Sequence, residues 1–258
     1  MYFAIAATAF LASVLTFFSG FGLGTILLPV FALFFDLPTA ILLTAIVHFL
    51  NNVFKFFLVG KKINKKIFLS FGLPSLIAAF AGAWCLKQIS STYYLFSYQL
   101  FSQIFSVSLL GLLIGTLMVF FALWEVLPFF KHLSFSENKL MAGGFLSGFF
   151  GGLTGHQGAL RTAFLMRLKL EKETFIATGI AVACLVDVAR MSVYAASVSS
   201  GLLHKNYQLL ICAVLSAWIG AFIGNKLLKK TTYSFIKWFV LVFMMIIGTL
   251  VISGILNK

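Results

Sequence analysis

The chain reads as an all-α integral membrane protein made of two inverted repeats, each a glycine-broken, re-entrant helical hairpin followed by three transmembrane helices. Three observations predict this. The 258 residues are 61% hydrophobic and only 10% charged, with a mean hydropathy of +1.07. A soluble domain carries about a quarter charged residues, so this chain cannot cover its surface with polar groups and takes lipid as its solvent. Apolar runs of about twenty residues recur, each long enough to cross the roughly 30 Å hydrocarbon layer as a helix. The chain can also be laid on itself: Gly24 falls on Gly158, Asn52 on Asp187, Lys55 on Arg190 and Gly82 on Gly220. The offset drifts by a few residues, as small loop insertions would make it do. Two-fold internal repeats of this kind are common in transporters.

The elements follow in order. The first repeat, 1–124, opens with a hairpin over 2–35, broken at "SGFGLG". Its spans are expected at 39–59, 67–86 and 104–124. A cytoplasmic linker covers 125–139. The second repeat, 140–258, opens with a hairpin over 140–168, broken at "GGLTGHQG", and its spans are expected at 174–198, 207–227 and 235–255. The stretch "MYFAIAATAFLASVLTFF" lacks a basic leader and a small-residue cleavage site, so it reads as a retained helix. Short alternating strands with a polar lumen, the mark of a membrane barrel, are not found.

Loop charge orients the segments. "KKINKK" at 61–66 is the densest basic loop and is expected in the cytoplasm. The loop 87–103, with only Lys87, then lies outside. The loops 125–139, with Lys131 and Lys139, and 167–173, with Arg167, Lys169 and Lys172, lie inside, as does the cluster Lys226, Lys229 and Lys230. The segment between the two inside loops therefore leaves and returns on one side. Its arms of about ten residues are too short to span. A hairpin plus three spans is an odd number of crossings, so the halves are inverted. The N-terminal arm from Tyr2 to Phe18 is longer, and whether it crosses fully or is re-entrant stays open.

The net charge of +13 sits mostly in these short loops. It reads as the retention bias of a membrane protein, not as a nucleic-acid surface. Cys85, Cys184 and Cys212 lie inside apolar runs and suggest neither a disulfide framework nor a metal site. Trp84, Trp124, Trp218 and Trp238 lie toward span ends, as interfacial anchors do. No cofactor signature is present, and a phosphate-binding P-loop is excluded because the G-K-[ST] ending is missing.

Polar residues in such a chain mark chemistry. Non-helical backbone is tolerated at membrane depth only when buried in protein or lining a cavity. Two hairpin tips entering from opposite faces would meet near the centre, with second arms starting at Gly24–Thr25 and Gly158–Ala159. Helix N-termini there offer unpaired N–H donors and a positive dipole end, and glycine lets a ligand approach the backbone. Gly22, Gly24, Thr25, Gly155, His156, Gln157, Gly158 and Arg161 are the candidates, and each brings a hydrogen-bond donor or a positive charge. The same small-xxx-small spacings also serve close helix packing.

Inside the spans, Asp187 stands alone among the six acids, with Arg190 at i+3 and Tyr194 at i+7. The matching first-half span carries His48, Asn51, Asn52 and Lys55 on one face. Asn51, Asn52, Asp187 and Arg190 join the candidate substrate-binding set. An Asp187–Arg190 pair that only ties helices together is the alternative, and Lys55 lies close enough to the cytoplasmic end to snorkel. His48, His156 or Asp187 would carry a proton if transport is proton-coupled.

The stretches "FFSGFGLGTILLPVFALFFDLPTAILLTAIVHFLNN" and "GGFLSGFFGGLTGHQGALRTAFLMRLKLEKETFIATGIAVACLVDVARMSVY" resemble the two halves of the TauE/SafE family. This sulfite-exporter family is also called the toluene-sulfonate uptake permease family. The resemblance covers nearly the whole chain. It implies a multi-pass transporter of the bacterial cell inner membrane, moving sulfite, organosulfonates or related small organic oxyanions. The chain departs from the family's denser glycine run after the first helix, having "GFGLG". It also places His156 and Gln157 where many members have small residues.

The expected function is therefore secondary transport of a small anion by alternating access around two opposed hairpin tips. An uncoupled anion channel on the same scaffold is the alternative. An intramembrane enzyme with His156 and Asp187 as acid and base is disfavoured, because no nucleophile–base pair or metal cluster is visible. The expected partners are a small anionic solute and the lipid bilayer. The sequence leaves open a coupling proton or Na⁺, and a homo-oligomer.

Overall fold

The computed structural model of the chain describes residues 1–19, 22–89, 93–127, 137–195, 200–227 and 233–256. The expected break at Gly20–Phe21, Lys131 with most of the 125–139 linker, the end of the 174–198 span, and Lys229 and Lys230 lie outside these residues. Within them the chain forms ten α-helices: α1 Tyr2–Ser19, α2 Leu23–Ala32, α3 Leu37–Val59, α4 Lys65–Gln88, α5 Leu109–Val126, α6 Leu140–Thr154, α7 Gly158–Leu165, α8 Lys172–Ala195, α9 Ser200–Leu227 and α10 Tyr233–Ile252. The stretches 37–62, 65–88, 172–195 and 201–226, carried by α3, α4, α8 and α9, are long and apolar enough to cross a membrane. The fold is thus an all-α, multi-pass membrane architecture.

One expected span starts late. Residues 104–108 belong to an antiparallel ribbon of β1 Tyr94–Leu100 and β2 Gln103–Ser108, and α5 begins only at Leu109. Ser108 fixes that start, because its hydroxyl accepts from Gly111 N at 3.0 Å. In the ribbon Ser97 Oγ and Ser106 Oγ lie 2.8 Å apart, and Tyr98 donates to Ser253 O beyond α10 at 2.7 Å. Hydropathy alone does not separate a buried-looking strand from the apolar helix that follows it.

Local chemistry sets the other boundaries. Asp36 caps α3 by accepting from Thr39 N at 3.3 Å, and Pro38 occupies the first turn, where no N–H is needed. Asn64 caps α4 by accepting from Ile67 N at 3.1 Å. Pro74 interrupts the ladder of α4. The hydroxyl of Ser75 beside it lies 2.8 Å from both Phe71 O and Gly144 O, able to donate to either.

Glycines let helices touch backbone to backbone. A Cβ at Gly144, Gly148 or Gly152 on α6 would run into the backbone of Phe71, Ser75 or Ala79 on α4, and one at Gly82 on α4 would strike Phe149 O on α6. A Cβ at Gly220 on α9 would strike Phe10 O on α1. Bulky side chains face outward instead. Leu73, Ile77, Phe80 and Trp84 form an exposed stripe on α4, and Tyr207, Ile211, Leu215, Ile219 and Phe222 form one on α9. This is the pattern of helices whose outer solvent is lipid.

The helix pairs recur in exchanged couples. Helix α1 packs on α9 and α6 on α4; α3 packs on α9 and α8 on α4; α2 packs on α3 and α7 on α8; α2 packs on α10 and α7 on α5. The α3–α8 and α5–α10 contacts map onto themselves when the halves are exchanged. The α6–α8 contact has no partner among the stronger pairs.

The second break is a hairpin. Gly155 adopts φ +83 as the left-handed cap of α6, and Ser147 Oγ donates to Gln157 O at 3.2 Å across the turn. A Cβ at Gly143, near the start of α6, would meet the ring of Phe164 near the end of α7, so α7 folds back along α6. Helix α6 has 15 residues and α7 has 8, about 22 and 12 Å at 1.5 Å per residue. Neither crosses a bilayer, and the first arm is longer than the ten residues expected.

Candidate functional site

Helices α3 and α8 carry the two polar stripes and pack against each other, which brings both stripes into one buried network. Asp187 is its centre. His48 Nδ1 lies 2.6 Å from Asp187 Oδ2, and Asn52 Nδ2 donates to the same oxygen at 3.3 Å. Arg190 Nε donates to Asp187 Oδ1 at 3.0 Å. Arg190 Nη2 also lies 2.9 Å from Oδ1, but off the hydrogen-bond line, so its own hydrogens stay unsatisfied. All four side chains are buried. The carboxylate assigns the proton on His48 to Nδ1. That leaves Nε2 toward the first break, where a Cβ at Gly22 would come within 3.0 Å of it.

Below this network lies a cavity of about 40 Å³, room for about three waters or one small ion. Thr16 and Phe17 of α1, Gly22 and Leu23 at the first break, and His48, Asn52 and Lys55 of α3 form one side of it. Arg161 and Thr162 of α7, with Phe175, Ile176, Gly179 and Ile180 of α8, form the other. Among these described residues there is no carboxylate. The hydroxyls of Thr16 and Thr162 are buried and have no partner, an unusual state for buried polar atoms. Arg161 reaches Gln157 Oε1 at 3.3 Å.

Of the sequence-predicted residues, Gly22, Asn52 and Arg161 line this cavity. Gly24 packs against Thr44 and His48 in the first turn of α2, beside buried Thr25. Asp187 stands behind the cavity wall as the anchor of His48 and Asn52. The rest gather elsewhere. A Cβ at Gly155 would strike Arg190 Nη1. His156 Nδ1 lies 2.9 Å from Thr154 Oγ1, and its ring stacks on Phe121 at 5.9 Å. Asn51 Oδ1 accepts from Ser13 Oγ at 3.1 Å. Gly158 opens α7 behind its N-cap, Gln157. The polar atoms Asn51 Nδ2, His156 Nε2 and Gln157 Nε2 are buried without partners. Tyr194 donates to Gly152 O at 2.6 Å and closes the last turn of α6.

Lys55 corrects one reading. Far from snorkelling to the surface, it is 4% exposed. It lines the cavity, with Nζ 5.4 Å from the centroid of the Phe17 ring. Phe17 of α1, Arg161 of α7 and Phe175 and Ile176 of α8 close around it, and a position near a span end gives no hint of that. Thr16 and Thr162 were not singled out either, because a threonine in an apolar helix often bonds only its own backbone.

This fold and its buried, cation-lined cavity define a multi-pass membrane protein of the transporter class. The model of the sulfite exporter TauE/SafE family matches residues 5–251, and the chain belongs to that family. It is accordingly a membrane transport protein. No curated protein and no solved structure matches the chain.

Proposed function

We propose that the protein is a secondary transporter of a small oxyanion, sulfite or a related sulfur anion, in a bacterial inner membrane. The observation that carries this reading is the cavity. Lys55, Arg161, His48 and Asn52 meet the unpartnered Thr16 and Thr162 hydroxyls there, and no carboxylate lines the space. Cations buried at membrane depth are costly and mark solute pathways. Donors without acceptors call for a solute that brings them.

The exchanged helix pairs support an inverted two-fold relation between 1–124 and 140–258. The two breaks would then enter from opposite faces, and alternating access would rock one half against the other around the cavity. With the 61–66 loop cytoplasmic, the cavity lies on the cytoplasmic side of the Asp187 network. In this reading the unpartnered Asn51, His156 and Gln157 atoms serve the path on the far side of the Asp187 network.

The test is flux of labelled sulfite into proteoliposomes. Accumulation against the sulfite gradient when a second ion gradient is imposed supports coupled transport, and flux that only dissipates the gradient supports a channel. Arg161→Ala is expected to lower the rate at least about tenfold, by the loss of one charge-assisted contact. Flux indifferent to Arg161→Ala would remove the cavity from the pathway.

A further inference from the structure

Each break lies beside a cation carried on the third helix of its own half, and the two cations are neutralised differently. Arg190 faces Gly155 and is paired with Asp187, three residues before it on the same helix. Lys55 shares the cavity with Gly22, and the residue three before it is Asn52. In the sequence overlay Asn52 falls on Asp187 and Lys55 on Arg190. The second half therefore carries its own counter-charge. The first half has an amide at that place, and Asp187 is already engaged by His48, Asn52 and Arg190. Among the described residues Lys55 has no carboxylate within ion-pair distance.

We propose that Lys55 selects the charge of the solute, which is a small oxyanion bearing two negative charges, shared between Arg161 and Lys55. This rests on the anion-transport reading above. A buried ammonium without a counter-charge is strongly unfavourable, so the solute completes in the first half what Asp187 completes in the second. Orphan hydroxyls at Thr16 and Thr162 supply donors for the remaining oxygens. The cavity of about 40 Å³ has room for a small oxyanion head.

Sulfate and methanesulfonate test this, because both are tetrahedral at sulfur and they carry two charges and one. Their binding to the purified full chain in detergent is measured by calorimetry. Wild type is expected to take sulfate about tenfold more tightly, or better. Lys55→Gln is expected to bring the two within about threefold while still taking methanesulfonate. Lys55→Arg should keep the preference. A wild type that fails to take sulfate, or takes methanesulfonate as tightly, overturns the inference, and so does a Lys55→Gln variant with the full preference. If Lys55→Gln does not fold, the wild-type ratio and Lys55→Arg decide. If sulfite also fails to bind wild type, the anion reading falls with it; if sulfite binds, only the charge assignment falls.

Discussion

The two hairpin breaks use the same parts to opposite ends. At the second, the left-handed turn at Gly155 closes directly on Arg190, Asp187 neutralises that guanidinium, and Tyr194 ties down the end of α6. At the first, Gly22 has an ordinary φ of −79. The cation beside it is Lys55, which lines the cavity with Asn52, the amide that falls where the second half has Asp187. One position separates them: the residue three before the cation is Asp187 in the second half and Asn52 in the first, so Arg190 has a counter-charge on its own helix and Lys55 has none among the described residues.

The comparison can be broken most directly at Asp187. Asp187→Asn leaves Arg190 buried without a counter-charge and is expected to cost about 3–5 kcal/mol. Asn52→Ala removes one amide contact and should cost about 1 kcal/mol. Thermal unfolding in detergent would show both, and equal losses would mean that the two positions are not differently loaded. Gly155→Ala comes next. It forces a Cβ onto Arg190 at a positive φ, at about 1–3 kcal/mol. Gly22→Ala needs only a small shift of His48 and is expected to cost less, so the reverse order in midpoint would contradict the picture of the rigid turn.

Gly82→Ala and Gly220→Ala probe the shared scaffold. Both press a methyl onto a carbonyl of the facing arm, and each should cost about 1–3 kcal/mol by overpacking. Equal losses sharpen the two-fold relation, whereas a loss at one site alone weakens it. Smallest of all, Lys62→Ala breaks an exposed pair with Glu173. It should leave the unfolding midpoint unchanged within error; a clear drop would give the 60–64 turn a structural part that its exposure does not suggest.

Much of this was legible in the chain because lipid makes deviations visible. A glycine cluster inside an apolar run is conspicuous, so the break at Gly155–Gln157 and its small-xxx-small flanks could be found. Asp187 and Arg190 stood out because charge is rare in spans, and the α8 and α3 stripes were placed on matching faces from spacing alone. Lys55 was misjudged because burial at a span end depends on what closes over it, here Phe17 of α1 together with Arg161 of α7 and Ile176 of α8. Residues 104–108 of the ribbon merged with the following span because Ile104, Phe105 and Val107 run on into the apolar helix without a break in hydropathy. The candidate residues divide into a cavity group and a tip group about the Asp187 network. That division depends on how α3 and α8 cross, which spacing along a single helix does not encode.

The oxyanion is placed between the halves, beside Lys55 and Arg161, where its charge stands in for the carboxylate that the first half lacks. An anomalous difference map from crystals grown with selenate reads this directly. The account predicts a peak in the cavity within hydrogen-bond reach of Lys55 Nζ and Arg161. A peak at the Gly155–Arg190 turn instead, or only on the outer surface, would contradict it.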